Sequence, residues 1–380
     1  MGKKKDNSKG TGSGRRRSPL LFGITFRAIL IVAAAAMFLS YLAVYVNPSK
    51  FALPLFFGLY FIPLFAMNLF LLLVALLRRS PSAWITVVAL LPSLLYSEQF
   101  VKIGEPEADA VADGYSLTIE SYNIGMFSSS DNKLSRDECR AEMARHLKEH
   151  DPHIVCLQEF FAESYRQADT IFGQYPYRHY HLFKARNGKL FGNIILSKFP
   201  IGEKGRLSFP NSTNLSIYAD IDHAGQPLRV YNNHLESYNV SFMALVHKFG
   251  SGKEISGDEL KRDLVDTHEK MKGTFIKRSE QVGQILSSIK KTPHQAIICG
   301  DFNDTPMSYT YHTLSKNRQD TFEEAGSGFG GTFRPIWPLL RIDYILVPQE
   351  TTCLSHTIQK LKLSDHYPAI AEIVVPFGEE

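Results

Sequence analysis

Apolar residues are arranged along this chain in two different ways. In the first hundred positions they form long blocks: Ala28–Val46, 19 residues without a charge, Phe51–Leu77, 27 more, and Ala83–Tyr96, which Pro92 interrupts. Beyond residue 115 they come in short runs rich in β-branched and aromatic residues. These are Leu117–Tyr122, His153–Leu157, Gly192–Ser197, Ser216–Ile221, Leu228–Asn232, Ala296–Cys299, Ile342–Val347 and Ala369–Val375. Runs of that length, bounded by turn residues, predict strands. Helical spacing over 135–149 puts Cys139, Met143, His146 and Leu147 on one face, and the polar stretch 259–290 predicts a second, longer helix. Pro152, Gly173, Pro200, Gly225 and Pro293 punctuate the junctions. Alternating strands and helices without a repeat predict an α/β domain of stacked layers.

The N-terminal blocks have a different destination. A bilayer core requires about 20 apolar residues per helix. The first two blocks meet that length, and the third meets it only if residues through Val101 contribute. No small-x-small cleavage site follows the first block, so it reads as an anchor and not as a cleaved signal peptide. Seven Lys/Arg lie within residues 3–17, one lies in the loop 47–50, and Arg78 and Arg79 follow the second block. Three spans then place the N-terminus in the cytoplasm and everything after about residue 100 outside; two spans would leave the large domain in the cytoplasm. The expected organisation is a basic cytoplasmic tail (1–20), a membrane unit with three transmembrane helices (21–101), an acidic linker (102–114) and a catalytic domain (115–380). The expected location is the plasma (inner) membrane, with the catalytic domain periplasmic in a Gram-negative cell.

Charge sharpens the division. The whole chain carries +4, but residues 1–104 carry +10, which leaves −6 for the rest. A polyanion bound by the large domain must therefore be held by a local site or by metal ions. Four cysteines, none in a CxxC or CxxH pair, exclude a disulfide framework and a structural zinc site. Cys156 and Cys299, inside apolar runs, read as buried thiols. The aromatic series Phe172, Tyr175, Tyr177, Tyr180 and Phe183 reads as strand and core packing.

The chemistry gathers where the strands end. TIESYN ends at Asn123, IVCLQE at Glu159, and RVYNNHLES carries His234. AIICGDFND carries Asp301, Asn303 and Asp304, RIDYILV begins with Asp343, and Asp365–His366 precede the last strand. One polar residue at a strand end is a cap or a turn, which is how Asp304 reads. Six such ends imply a shared cluster at one edge of the sheets. Carboxylates and amides suit a hard cation, Mg²⁺, Mn²⁺ or Ca²⁺. Histidines and acids beside such a cation suit hydrolysis of a phosphate ester.

In chain order SYNI, LQE, GNIILSKFPI, NNHLES, GDFND, RIDYIL and SDHYP resemble the endonuclease/exonuclease/phosphatase superfamily over about 115–375. That superfamily includes deoxyribonuclease I-like and sphingomyelinase-like metal-dependent phosphoesterases. The resemblance implies a four-layer α/β sandwich of two face-to-face β-sheets flanked by helices. It implies Glu159 as principal metal ligand, Asn123 completing or supporting the site, and Asp365 beside the metal. It implies Asp301 as the group that orients or deprotonates water, and Asn303 as a donor to the phosphate. His366, held by Asp343, would contact a phosphoryl oxygen or transfer a proton. His234 would contact the phosphate and protonate the leaving group, and Asn193 would lie nearby. Asn233 stands where the family usually has Thr.

The expected activity is that of a membrane-anchored phosphoesterase, nuclease-like by family frequency, with a sphingomyelinase-like lipid phosphodiesterase as the alternative. A catalytically inactive binding protein is the alternative of another class. The expected partners are the lipid bilayer and a phosphoester substrate, nucleic acid or phospholipid head group. No protein partner is predicted.

Overall fold

The computed structural model describes residues 19–104, 113–128, 133–210, 212–223, 225–238 and 257–377. Nearly all of the basic tail, most of the acidic linker and most of the 250–257 loop lie outside the described residues.

The N-terminal unit comprises α1 (Pro19–Leu42), α2 (Leu53–Leu59), α3 (Phe61–Leu77) and α4 (Ala83–Leu90), with a 3₁₀ segment at Leu91–Gln99. Three continuous helices were expected, and the second and third differ. The 27-residue block breaks into α2 and α3, bent by 73°. Pro63 lacks the N–H that would bond to the Leu59 carbonyl, so the ladder loses a rung where the chain bends at Tyr60. The third block leaves α-helix geometry at Leu91, where Pro92 sits in the first turn of the 3₁₀ segment. Among the described residues one helix, Gly23–Leu42, is long and apolar enough to cross a membrane, and the bent pair makes a second if counted together. α1 packs on α2, α3 and α4, and α3 packs on α4.

The remainder is built from β1 (Val101–Lys102), β2 (Gly114–Asn123), α5 (Arg136–His150), β3 (Ile154–Ala162), α6 (Tyr165–Thr170), β4 (Tyr177–Lys184), β5 (Leu190–Ser197), β6 (Ile201–Ser208), β7 (Leu215–His223) and β8 (Gln226–His234). There follow α7 (Gly257–Ile289), β9 (Ala296–Asp301), α8 (Tyr309–Ser315), β10 (Arg318–Asp320), α9 (Thr321–Ala325), β11 (Gly328–Phe329), β12 (Asp343–Pro348), β13 (Thr352–Ile358) and β14 (Ala369–Pro376). One sheet has the order β13-β14-β2-β3-β5-β4, the other β10-β12-β9-β8-β7-β6. Each is antiparallel except for one central parallel pair, β2·β3 in the first and β8·β9 in the second.

All eight expected strands are present. Their inward residues meet between the sheets, Leu117, Ile119, Cys156 and Ile195 from one against Ile217, Val230, Ile297, Cys299 and Ile345 from the other. Each such side chain, fully buried, contributes roughly 1.5–3 kcal/mol. Cys139, Met143 and Leu147 of α5 cover the outer face of the first sheet. Val282 and Ile285 of α7 cover the outer face of the second, with Tyr311 and Leu314 of α8. The result is the four-layer sandwich. α5 starts where the sequence places it because Ser135 caps it and Glu138 reciprocates in a capping box. Phe172 and Tyr175 are buried in the core beneath α5, as read from the sequence, whereas Tyr177 of the same series is exposed on the edge strand β4.

The N-terminal unit is seated on this sandwich. Met307 is buried among Met37, Tyr41 and Phe61, and Leu55 packs on Met271 and Phe275 of α7. The Phe56 and His268 rings stack at 4.4 Å. Asn47 donates to Tyr309 Oη at 3.2 Å, and β1 pairs with β11. Gly58 permits the approach, since a Cβ there would collide with the Met307 carbonyl oxygen.

Candidate active site

The two parallel pairs run in register to the same edge. In the first sheet Asn123 pairs with Gln158, next to Glu159; in the second His234 pairs with Asp301. Asp301 also faces Asp343, the first residue of β12. Asp365 and His366 lie just before β14. Parallel neighbours end together, so their last side chains enter one cleft.

Local backbone turns two of these side chains inward. Glu159 has φ 50°, at a bulge where the β3·β5 register shifts between Leu157 and Phe160. Asn303 has φ 53°. Non-glycine residues hold that conformation at a cost of about 1–3 kcal/mol, and such strain clusters at functional sites.

Asp301 Oδ2 is the hub. Asn123 Nδ2 donates to it at 3.0 Å and Asn303 Nδ2 at 3.2 Å. His366 Nε2 lies 3.8 Å from it and His234 Nε2 4.0 Å. His234 Nε2 is also 3.7 Å from Glu159 Oε1, and Asn123 Nδ2 is 3.4 Å from that same oxygen. On its other side His366 meets Asp343 Oδ2 through Nδ1 at 2.9 Å. Asp365 Oδ1 accepts from Ser364 Oγ at 3.2 Å.

Two details refine the expected roles. Asn123 Oδ1 accepts from Gly125 N, so the amide nitrogen faces the two carboxylates and ties Glu159 to Asp301. Both Nδ2 hydrogens of Asn303 are directed at Asp301 and the Leu235 carbonyl. Asp304 is buried, against Arg278 at 3.7 Å beneath the site, and does more than cap a turn.

Burial pushes the Asp301 carboxyl upward, and the neighbouring His366 pulls against that. Burial disfavours the charged form of His366, but Asp343 and Asp301 outweigh it and raise the imidazole to about 10. His366 is therefore an imidazolium at neutral pH, beside a carboxylate that binds protons more readily than an exposed one.

The donor set fits a hard divalent cation. Asp301 and Asp343 bring carboxylate oxygens within 4.8 Å of one another, and Asp343 Oδ1 is buried without a hydrogen-bond partner; His366, as an imidazolium, borders this set and is not a ligand of it. Glu159 and Asp365 add carboxylates. Three of the four cysteines are buried, and Cys156 and Cys299 sit between the sheets.

Beside Glu159 and His234 opens a cavity of about 770 Å³. Arg136, Lys189 and Lys277 bring positive charge to its walls, and Glu236, Asn214 and Asn193 bring acceptors and amides. Glu236 is held by Lys277 at 2.9 Å and Ser212 at 2.6 Å. Of these, Asn193 was legible in sequence, and Glu236 lies inside the NNHLES motif without having been singled out; Arg136, Lys189, Lys277 and Asn214 lie on turns and helix faces without a motif. Gln158 of LQE and Asn232 of NNHLES were visible in the sequence, but not their contact: these buried amides join the sheets at 2.7 Å below the cleft. Their signal was an amide inside an otherwise apolar strand.

A sandwich whose two sheets deliver acids, amides and paired histidines to one edge defines a phosphoester hydrolase. The chain belongs to the Endonuclease/Exonuclease/phosphatase family, whose model matches residues 121–366. A second model, a domain of unknown function, matches residues 23–100. Among solved structures, an endonuclease/exonuclease/phosphatase from Beutenbergia cavernae is similar at 16% identity, over 69% of this chain and 72% of that one, with TM-score 0.51. A family protein from Bacteroides thetaiotaomicron is 18% identical over 70% of this chain and 100% of that one, with TM-score 0.50. A mannosyl-6-phosphatase from the same organism is 18% identical over 68% and 100%, with TM-score 0.48. No curated protein matches.

Proposed function

We propose that this chain is a membrane-anchored, divalent-cation-dependent hydrolase of phosphate esters. The convergence on Asp301 Oδ2 carries the reading. Asp301 is placed to orient a water and take its proton. The His366 imidazolium, aimed by Asp343, faces the charge that develops on phosphoryl oxygens. His234, on the cavity side, is placed to donate a proton to the departing oxygen. Glu159 and Asp365 would hold the cation, with Asn123 bracing Glu159. Bound there, Mg²⁺, Mn²⁺ or Ca²⁺ supplies neutralisation of phosphoryl charge.

The cavity beside His234 suits the organic part of the ester, and its walls of mixed charge suit a polar or hydroxylated group. A net charge of −6 over the domain argues mildly against tight duplex binding, and so against the nuclease reading.

Anchoring is supported by what the N-terminal unit leaves uncovered. Ile24, Ile31, Val32, Phe70, Leu73, Leu77, Leu94 and Leu95 are all about half exposed or more. Surfaces of that kind mark lipid or protein contact. Arg27 bonds Ser82 and Arg78 covers Phe26 at one end of the bundle, whereas Tyr41, Phe61 and Phe100 gather at the end that meets the sandwich. With the third block counted as a short crossing completed by its 3₁₀ segment, beyond the one or two spans that length and composition support, that polarity would put the catalytic domain outside the cytoplasm.

The full chain in detergent should hydrolyse bis-p-nitrophenyl phosphate with Mg²⁺ or Mn²⁺. It should lose that activity with chelator and with Asp301→Ala. Activity that survives both would overturn the mechanism.

A further inference from the structure

Among the described residues, β11 and the segment that follows it to β12 hold the main cluster of exposed apolar side chains on the sandwich. Phe329, Ile336, Trp337 and Leu339 are between 37% and 52% exposed, although they lie within eleven residues of one another. The segment is tied at both ends. At one end β11 pairs with β1, and Gly330 N–H donates to the carbonyl of Phe100, the last residue before β1. Phe100 in turn stacks on Phe61 of α3 at 5.4 Å. At the other end Phe333 forms a bridge with His366, their rings 5.3 Å apart, and Arg334 N–H donates to the Asp365 carbonyl. One short segment thus connects the mouth of the helical unit to the catalytic histidine.

Its chemistry is that of a bilayer interface. A tryptophan among aliphatic side chains sits well at the head-group level, where one end of the ring is apolar and the other wet. Lys360 Nζ stands 4.0 Å over the Trp337 ring, and a lysine there carries its charge to the level of lipid phosphates. Ile103, 91% exposed, continues the surface from β1. Trp337 lies four positions after Phe333, a reach of at most about 13 Å.

We infer that residues 329–339 dip into the bilayer beside the active site, and that the substrate is a phosphoester carried on a lipid. This rests on the proposed anchoring and hydrolase chemistry and names their substrate class. A lipid whose phosphate lies at His366 keeps its acyl part in the membrane against Ile336, Trp337 and Leu339, while its head group enters the polar cavity beside His234.

The full chain is tested in vesicles of phosphatidylcholine brominated on its acyl chains, mixed with phosphatidylglycerol. The chain has two tryptophans, Trp84 on α4 and Trp337. Trp84→Phe leaves Trp337 as the reporter, and Trp337→Phe leaves Trp84. Quenching of Trp337 supports the inference. Quenching of Trp84 alone overturns it and leaves anchoring intact. Quenching of neither overturns both. In the same vesicles an Ile336→Ser/Leu339→Ser variant is assayed on phospholipids, sphingomyelin, short single-stranded DNA and bis-p-nitrophenyl phosphate. The expected result is lipid turnover reduced about tenfold or more, with the soluble diester cleaved as before. Turnover of DNA but of no lipid overturns the substrate class. A parent chain that fails to hydrolyse bis-p-nitrophenyl phosphate would instead overturn the hydrolase reading on which the inference rests.

Discussion

His366 Nδ1 stands 2.9 Å from Asp343 Oδ2, and both side chains are buried. That contact fixes the ring so that Nε2 turns toward Asp301. Asp343→Asn keeps the shape and removes the charge. We expect kcat/KM to fall roughly 10²–10⁴-fold. The alkaline limb of its pH profile should also move to lower pH, because His366 loses its strongest support. A limb that stays in place would show that His366 is not the group titrating there.

The same pair makes stability depend on pH. His366 is raised to about 10 in the folded chain, against about 6.5 in an unfolded one. Its contribution is therefore complete below about pH 6.5 and is lost as pH rises toward 10. Thermal unfolding in chelator should show a larger drop between pH 6.5 and 9.5 for the parent chain than for Asp343→Asn. Equal drops would contradict the assignment.

Cation affinity should depend on the open carboxylates. Glu159→Gln and Asp365→Asn should each weaken Mn²⁺ binding by about 10–100-fold in calorimetric titration. The asparagine that braces Glu159 should matter less, so Asn123→Ala should cost more in kcat than in affinity. Unchanged binding in Glu159→Gln would move the ion elsewhere in the cleft.

Gly300 precedes the hub at φ 130°, and a Cβ there would collide with the backbone oxygen of Asn233 on β8. No side chain is accommodated without parting the β8·β9 pair. Gly300→Ala should cost roughly 2–4 kcal/mol in denaturant unfolding. A loss below 0.5 kcal/mol would mean that the strands yield easily.

Gly58→Val tests the seat of the helical unit. The new side chain meets the Met307 carbonyl, so α2 should lift from α7 and the 304–312 segment. Limited proteolysis should then release the sandwich faster than in the parent chain. An unchanged cleavage rate would show that the contact with Met307 is not what seats α2.

The central strands were legible because both faces are buried, which makes their sequences almost continuously apolar. β6 was not: in IGEKGRLS no residue is buried, and it is an edge strand whose pattern resembles a loop. β13, the edge of the other sheet, hid for the same reason. Site residues were legible where a polar group interrupts an apolar run, as in CLQE and CGDFN. The cavity residues Arg136, Lys189 and Lys277 were not, because a charged residue on a turn or helix face looks like any solvated one. Arg278 lay unread in a polar helix, yet it is fully buried against Asp304 with its guanidinium over Tyr238. Nothing local in the sequence distinguishes it from its exposed neighbours.

Neither sheet holds a working half of the chemistry. Asn123, Glu159, Asp365 and His366 come with β2, β3 and β14, while His234, Asp301, Asn303 and Asp343 come with β8, β9 and β12. A folding intermediate with one sheet formed is thus inert, and turnover begins only when the two surfaces close on each other. Catalytic onset during refolding should lag behind strand formation and coincide with the exclusion of water from between the layers.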